Sequence, residues 1–141
     1  MTRVYWDTML LIYWLEGYRE FGPRVLEVRE RMMQRGDQLC ASALSLGELL
    51  VAPERRKDEA MLRDLQRLFR SPAIEVLPVS QEAAAIYGHI RATTATGSLD
   101  AFHLAVAAAA GVNLFLTNDR RLTRHRVPGI DFIATLDAGL Y

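Results

Sequence analysis

Asp7, Glu48, Asp100 and Asp119 are the residues of this chain whose type and placement suggest chemistry. Asp7 directly follows the short run Arg3-Val4-Tyr5-Trp6, and Asp119 comes three residues after Leu114-Phe115-Leu116. Both runs read as β-strands, and in open parallel sheets ligands bind beyond the carboxyl ends of the strands, where the strand order reverses. Glu48 falls on the helix that follows a second strand, and Asp100 in the first turn of an apolar helix. Parallel neighbouring strands would bring these strand exits and helix starts to one end of the sheet. Two carboxylates about 5 Å apart repel by roughly 3 kcal/mol at an effective dielectric of 20. Four gathered together must take up protons or bind cations. Oxygen-only ligands suit Mg²⁺ or Mn²⁺, whereas zinc prefers His and Cys. Such ions orient a water, lower its pKa and stabilise charge on a phosphodiester during cleavage.

Each carboxylate also has an ordinary structural reading. Asp7 can cap the helix that follows it. Ser45-Leu46-Gly47-Glu48 matches a capping box. Asp100 in a first helical turn suits the helix dipole, and Asp119 in Thr117-Asn118-Asp119 suits a turn. Taken one at a time these readings prevail. Taken together they do not, because four independent caps have no reason to adjoin the strand exits or a buried helix.

The elements that must position these residues alternate between β-like and helical patterns, which defines an α/β domain with a mostly parallel sheet. The expected strands are Arg3 to Trp6, Leu39 to Ser42, Ile74 to Leu77, Leu114 to Leu116 and, at an edge, Ile130 to Ala134. Helices are expected from Met9 to Glu16, and from Pro23 to Arg35 with Gly36 as the stop. Another runs through Glu48 to Val51 and ends at Pro53. An amphipathic segment from Lys57 to Arg70 carries Met61, Leu62, Leu65, Leu68 and Phe69 on its apolar stripe. Ser80 caps a helix to about Thr93, Thr93 to Gly97 is a loop, and Ser98 to Ala110 is apolar on nearly every side, hence buried.

The chain has 141 residues, enough for one domain with a real core, and balances 17 acidic against 17 basic side chains. Its single cysteine, Cys40, rules out an internal disulfide and fits a buried strand position in a reducing cytoplasm. The N-terminal residues lack the pattern of a signal peptide, and Leu104 to Ala110 is too short to span a bilayer. Basic residues cluster at Arg120, Arg121, Arg124, His125 and Arg126, and again at Arg55, Arg56 and Lys57 with Arg63, Arg67 and Arg70. Such runs are commonly solvated surface. The functional reading is phosphate contact, for which guanidinium forks are well shaped. His103, one turn from Asp100, either reaches the site or is a hydrogen-bonded core histidine. Trp6 and Trp14 read as core.

Tyr5-Trp6-Asp7-Thr8 before Leu10-Leu11-Ile12, then Ser45-x-x-Glu48-Leu49, then Asp100-Ala101-x-x-Leu104-Ala105, then Leu116-Thr117-Asn118-Asp119 together resemble the PIN-domain pattern in its full order. The length is similar to that of VapC-type toxins of toxin–antitoxin pairs. This resemblance implies one PIN-like domain over residues 1–141, with a five-stranded parallel sheet flanked by helices. It implies a Mg²⁺- or Mn²⁺-dependent endoribonuclease in which Asp7, Glu48, Asp100 and Asp119 bind metal and catalyse. Thr8, Thr117 and Asn118 would support those carboxylates, while the charge cluster itself, on its functional reading, has Arg120, Arg121 and Arg124 contacting RNA. The resemblance also implies a VapB-type antitoxin inserted into the groove, and a homodimer. Met9 departs from the pattern, standing where relatives often carry a polar residue. The loop Ala95 to Leu99 lacks the basic residue that some relatives have. Two other readings stay open: a catalytically silent PIN-like module that binds RNA or protein, and a phosphotransfer domain with Asp7 as nucleophile. The latter lacks a second acid or a lysine nearby, Lys57 being the only lysine. Finally, Leu10, Leu11, Tyr13 and Trp14 on one short helix are expected not to fit a single core, which again favours a dimer.

Overall fold

Alternation along the strands decides how this chain packs. In the computed structural model, which describes residues 1–141, strand β1 (Arg3–Trp6) sends Val4 and Trp6 to one face of the sheet and Tyr5 to the other. Strand β2 (Gln38–Ser42) does the same with Leu39 and Ala41 against Cys40, and β4 (Leu114–Thr117) with Leu114 and Leu116 against Phe115. Both faces are therefore apolar, and each needs a cover of helices. Between β1 and β2 the chain forms α1 (Thr8–Leu15) and α2 (Gly22–Arg35). Helices α3 (Ala43–Arg56) and α4 (Glu59–Arg70) then lead to β3 (Glu75–Leu77). These four helices contribute to the core on the Val4 and Trp6 face. Helices α5 (Gln81–Thr93) and α6 (Ser98–Ala110) cover the Tyr5 and Phe115 face before β4, and β5 (Phe132–Thr135) ends the sheet.

All four strand pairings are parallel, in the order β3-β2-β1-β4-β5. The chain walks outward from β1 to β3 with helices on one face, then returns past β1 to β4 with helices on the other. That switch of face is what right-handed crossovers require when the direction of travel reverses. The reversal point is the seam between β1 and β4.

Most element boundaries follow the sequence signals. Gly36 and Gly111 stop α2 and α6 in left-handed conformation, at φ 73° and 68°, and Ser80 caps α5 by accepting from the Ala83 N–H. Three expectations need correction. Pro53 does not end α3, which runs on to Arg56; the proline is buried in the helix's last turn, where its missing N–H removes only one bond near an end. The capping box of α3 is one turn earlier than the sequence suggests: Ser42 is the cap, with Ser45 as its reciprocal partner, so Glu48 lies within the helix. The third concerns α1. Leu10 and Leu11 are fully buried and Tyr13 nearly so, all in one core, and Trp14 packs beside them, edge-on to Trp6. Laid between the sheet, α2 and α3, this short helix is covered from several sides, and its apolar residues give no argument for a second copy of the chain.

The return from β4 to β5 passes through a 3₁₀ turn at Arg120–Arg124 that the sequence reading did not foresee. It is then pinned to α6 at Gly129, whose φ is 103° and where a Cβ would collide with the carbonyl oxygen of Ala108. No helix is long and apolar enough to cross a membrane.

Candidate active site

The seam between β1 and β4 delivers two of the four carboxylates side by side. Asp7 leaves β1 with its backbone N–H still bonded to the Leu116 carbonyl, at 2.9 Å, and caps α1. Its two oxygens are both used: Oδ1 accepts from the Thr8 N–H at 2.8 Å, and Oδ2 accepts from the Thr117 hydroxyl at 2.9 Å. That same Thr117 oxygen accepts the backbone N–H of Asp119 at 3.1 Å. One buried hydroxyl at the end of β4 thus ties the Asp7 side chain to the Asp119 backbone. Asp100 enters from the opposite face of the sheet, on the first turn of α6, and its carboxylate has no hydrogen-bond partner. Glu48 comes from α3, where its Oε1 accepts from the Thr8 hydroxyl at 2.9 Å and lies 2.6 Å from His103 Nε2. All four acids line one cleft of about 430 Å³, together with Thr8, Met9, His103, Thr117, Asn118 and Arg121.

The electrostatics differ from one acid to the next. Burial raises the pKa of Asp100 above its ordinary value, and the charges of Asp7 and Asp119 add to this. Burial acts the same way on Glu48, but the hydrogen bonds from His103 and from the Thr8 hydroxyl outweigh it, holding that carboxyl low. Asp119 is held low chiefly by Arg121, whose guanidinium grips it with Nε at 3.0 Å and NH2 at 2.7 Å. Three of the four acids are thus engaged by protein donors, and Asp100 alone has none while facing the charges of Asp7 and Asp119. As they stand, no three acidic, histidine or cysteine side chains close into a cage around an ion. An open set of carboxylate oxygens fits Mg²⁺ or Mn²⁺ nonetheless: Mg²⁺ keeps several waters and takes only one or two carboxylates plus substrate phosphates, not an all-protein cage. The repulsion on Asp100 is the feature that such an ion would relieve.

Of the supporting residues read from the sequence, Thr8 and Thr117 make the bonds just described, and Asn118 lines the cleft without a side-chain bond. Among the basic residues, Arg121 alone borders the cleft. Arg120 pairs with Asp137, and Arg124 is exposed without a side-chain partner. His125 bonds to Thr96 Oγ1 at 3.1 Å, away from the acids. Met9 is exposed at the cleft, as its place in the sequence suggests. His103 satisfies both of its readings at once, being 1 % exposed and bonded to Glu48. The residue that sequence reasoning missed is Tyr5, whose hydroxyl lies 2.6 Å from His103 Nδ1. Strand alternation puts Tyr5 opposite Val4 and Trp6, but only the fold reveals that α6 covers that face.

An α/β domain with an all-parallel five-stranded sheet and an acidic cleft at its switch point is the class that these features define. The PIN domain family model matches residues 4–128, and the chain belongs to that family. No curated protein matches the sequence. Among solved structures, the chain is similar to VapBC2 from Rickettsia felis bound to a DNA fragment from its promoter, with a TM-score of 0.73 at 16 % identity, covering 95 % of this chain and 98 % of that one. A toxin–antitoxin complex from Klebsiella pneumoniae gives a TM-score of 0.67 at 20 % identity, covering 90 % and 94 %. VapBC-5 from Mycobacterium tuberculosis, of the VapBC family of toxin–antitoxin systems, gives 0.60 at 17 %, covering 96 % and 99 %. At these identities the likeness establishes the fold.

Proposed function

We propose that this protein is a Mg²⁺- or Mn²⁺-dependent endoribonuclease and the toxin of a type II toxin–antitoxin pair, acting in the cytoplasm. The observation that carries the proposal is that Asp7, Glu48, Asp100 and Asp119, from four separate parts of the chain, line a single cleft at the β1–β4 seam. A phosphodiester cannot approach four carboxylates unless a cation intervenes, so the acidity that excludes RNA by itself is what fits the cleft for metal-assisted cleavage. Asp7, Asp100, Glu48 and Asp119 would hold the metal, which when bound supplies an activated water and charge stabilisation for the phosphoryl group.

The chain's own residues do the rest. Thr8 and Thr117 fix Asp7 through separate oxygens, so its geometry is set before any ligand arrives. Arg121 stands at the rim with a fork shaped for phosphate oxygens. The antitoxin assignment draws its support from the family and from the similar solved structures, one described as a toxin–antitoxin complex, one as a member of the VapBC family of toxin–antitoxin systems and one as VapBC2. The partner would be a VapB-type protein placing a basic residue in the acidic cleft. The homodimer rests on the family resemblance, and light scattering at micromolar concentration decides it.

The test is direct. Partner-free protein should cut RNA with Mg²⁺ or Mn²⁺ and stop in EDTA, and Asp100→Asn should abolish cutting while the protein remains folded. Cleavage that continues in EDTA would sink the metal mechanism. A second reading, a silent module that binds RNA or protein, draws on the engagement of Glu48 by His103 and of Asp119 by Arg121. It predicts no Mn²⁺ binding at millimolar concentration.

A further inference from the structure

Glu48 differs from the other three acids in being held from behind. Its Oε1 lies 2.9 Å from Thr8 Oγ1 and 2.6 Å from His103 Nε2, and no donor reaches Oε2. His103 sits 1 % exposed on α6, and its other nitrogen, Nδ1, lies 2.6 Å from the hydroxyl of Tyr5, which is fully buried. Tyr5, His103 and Glu48 therefore form one chain of hydrogen bonds from the interior of the sheet to the cleft, crossing from β1 through α6 to α3.

The direction of that chain follows from chemistry. An ionised carboxylate only accepts, so the proton facing Glu48 belongs to Nε2. A neutral imidazole then has a bare lone pair at Nδ1, which needs a donor. The Tyr5 phenol supplies it, since burial pushes its pKa well above the ordinary range and it keeps its proton. We propose that Tyr5 and His103 are positioning residues: Tyr5 donates to Nδ1, confines the imidazole proton to Nε2, and so fixes Glu48 by Oε1 while leaving Oε2 to serve the cleft. Without Tyr5 the neutral ring is free to carry its proton on Nδ1, which would set the Nε2 lone pair against the carboxylate. A Glu side chain has three rotatable bonds and loses much rotamer freedom when it is held in one place. Two donors on one oxygen impose that order in advance, as outer hydrogen bonds do for ligating side chains in metal sites generally.

This inference rests on the metal-nuclease reading for its purpose but not for its geometry, and two measurements separate the two. The first needs neither variant nor metal. In wild-type protein labelled with ¹⁵N at histidine, with the His103 signals assigned by their loss in His103→Gln, two-bond correlations should show a neutral ring protonated at Nε2. A ring carrying a proton on Nδ1, alone or together with Nε2, overturns the proposal.

The second is Mn²⁺ affinity, read from the electron paramagnetic resonance of free Mn²⁺. Tyr5→Phe keeps the ring stacked on Phe115, whose centroid is 5.1 Å away, so the variant is expected to fold. It should bind Mn²⁺ about tenfold more weakly, the usual scale for loss of an outer-shell partner. In a Glu48→Ala background the same change should have no further effect, because the group being positioned is gone. A role confined to core packing would lower the melting point and leave Mn²⁺ affinity alone, and that result also overturns the proposal. Wild type that binds no Mn²⁺ would instead refute the metal-nuclease reading, leaving the hydrogen-bond chain to be judged by the NMR measurement.

Discussion

Thr117, the last residue of β4, donates its hydroxyl to Asp7 Oδ2 across the seam to β1 at 2.9 Å and accepts the Asp119 N–H at 3.1 Å. Both partners lose if it is replaced. Thr117 is fully buried, so Thr117→Val, which keeps the shape and removes the hydroxyl, should destabilise the fold by about 1–3 kcal/mol, the cost of leaving buried polar groups unmet. Urea unfolding would measure it. A loss below a few tenths of a kcal/mol would mean that water replaces the hydroxyl and that the tie is dispensable.

Asp100 offers the cleanest test of repulsion in the cleft. Its pKa is raised in the fold, by burial first and then by Asp7 and Asp119. A carboxyl raised on folding contributes stability that is complete below its unfolded pKa and is lost as the pH climbs through the folded one. At neutral pH the ionised group therefore costs stability, and metal-free Asp100→Asn should melt higher than wild type by on the order of a few degrees. The gap should close as the pH falls toward the unfolded aspartate value of about 4, because the raised wild-type carboxyl takes up its proton before that point is reached. Added Mn²⁺ should raise the wild-type midpoint more than the variant's. A variant that melts lower at pH 7 in EDTA would contradict this account.

Arg121 is expected to compete with any cation for Asp119, since its fork now holds both carboxylate oxygens. Arg121→Ala should therefore bind Mn²⁺ more tightly. RNA binding should weaken, with the salt slope falling by about one unit for the lost phosphate contact. Arg120→Ala should change that slope less, because Arg120 lies outside the acidic cleft that Arg121 borders. Salt titrations of the two variants side by side decide between phosphate contact and plain solvated surface.

The fold was largely readable from sequence because strand alternation, Ser80, Gly36 and Gly111 are local signals with local causes. The cleft was readable as a set of residues but not as an arrangement. Capping and metal binding were set against each other at Asp7, yet one oxygen accepts from the Thr8 N–H and the other from Thr117, so the sign of an Asp7→Asn stability change would not separate the two roles. Glu48 looked like half of a capping box until Ser42 and Ser45 proved to form that box between themselves. Tyr5 with His103, and Arg121 with Asp119, depend on which sheet face α6 covers and on a 3₁₀ turn, and neither leaves a pattern in a single chain.

Cys40 provides a check on the core that is independent of the cleft. It is fully buried, and burial, aided by the charge of Glu75, pushes its thiol up to about 12. The thiolate is the reactive form. Native protein should therefore leave a disulfide reagent such as DTNB unreacted over hours at pH 8, and denatured protein should react at once. Rapid labelling of the native state would show that β2 opens far more readily than its place between β1 and β3 implies.

The sheet order has a bearing on how the protein is made. Asp7 leaves the ribosome well before Thr117, which secures it and lies 110 positions later, and β4 must slot in beside β1 before the two can meet. At synthesis rates of about 5–20 residues per second, that interval is roughly 5–20 s. Throughout it the growing chain has at most β1, β2 and β3, with one long edge of β1 unpaired and Asp119 not yet made. A nascent or truncated chain is therefore harmless as a nuclease under the reading given above. The acidic centre comes into being only when the chain from β1 through β4 and Asp119 is available, and a partner that recognises the closed cleft has nothing to bind before that moment.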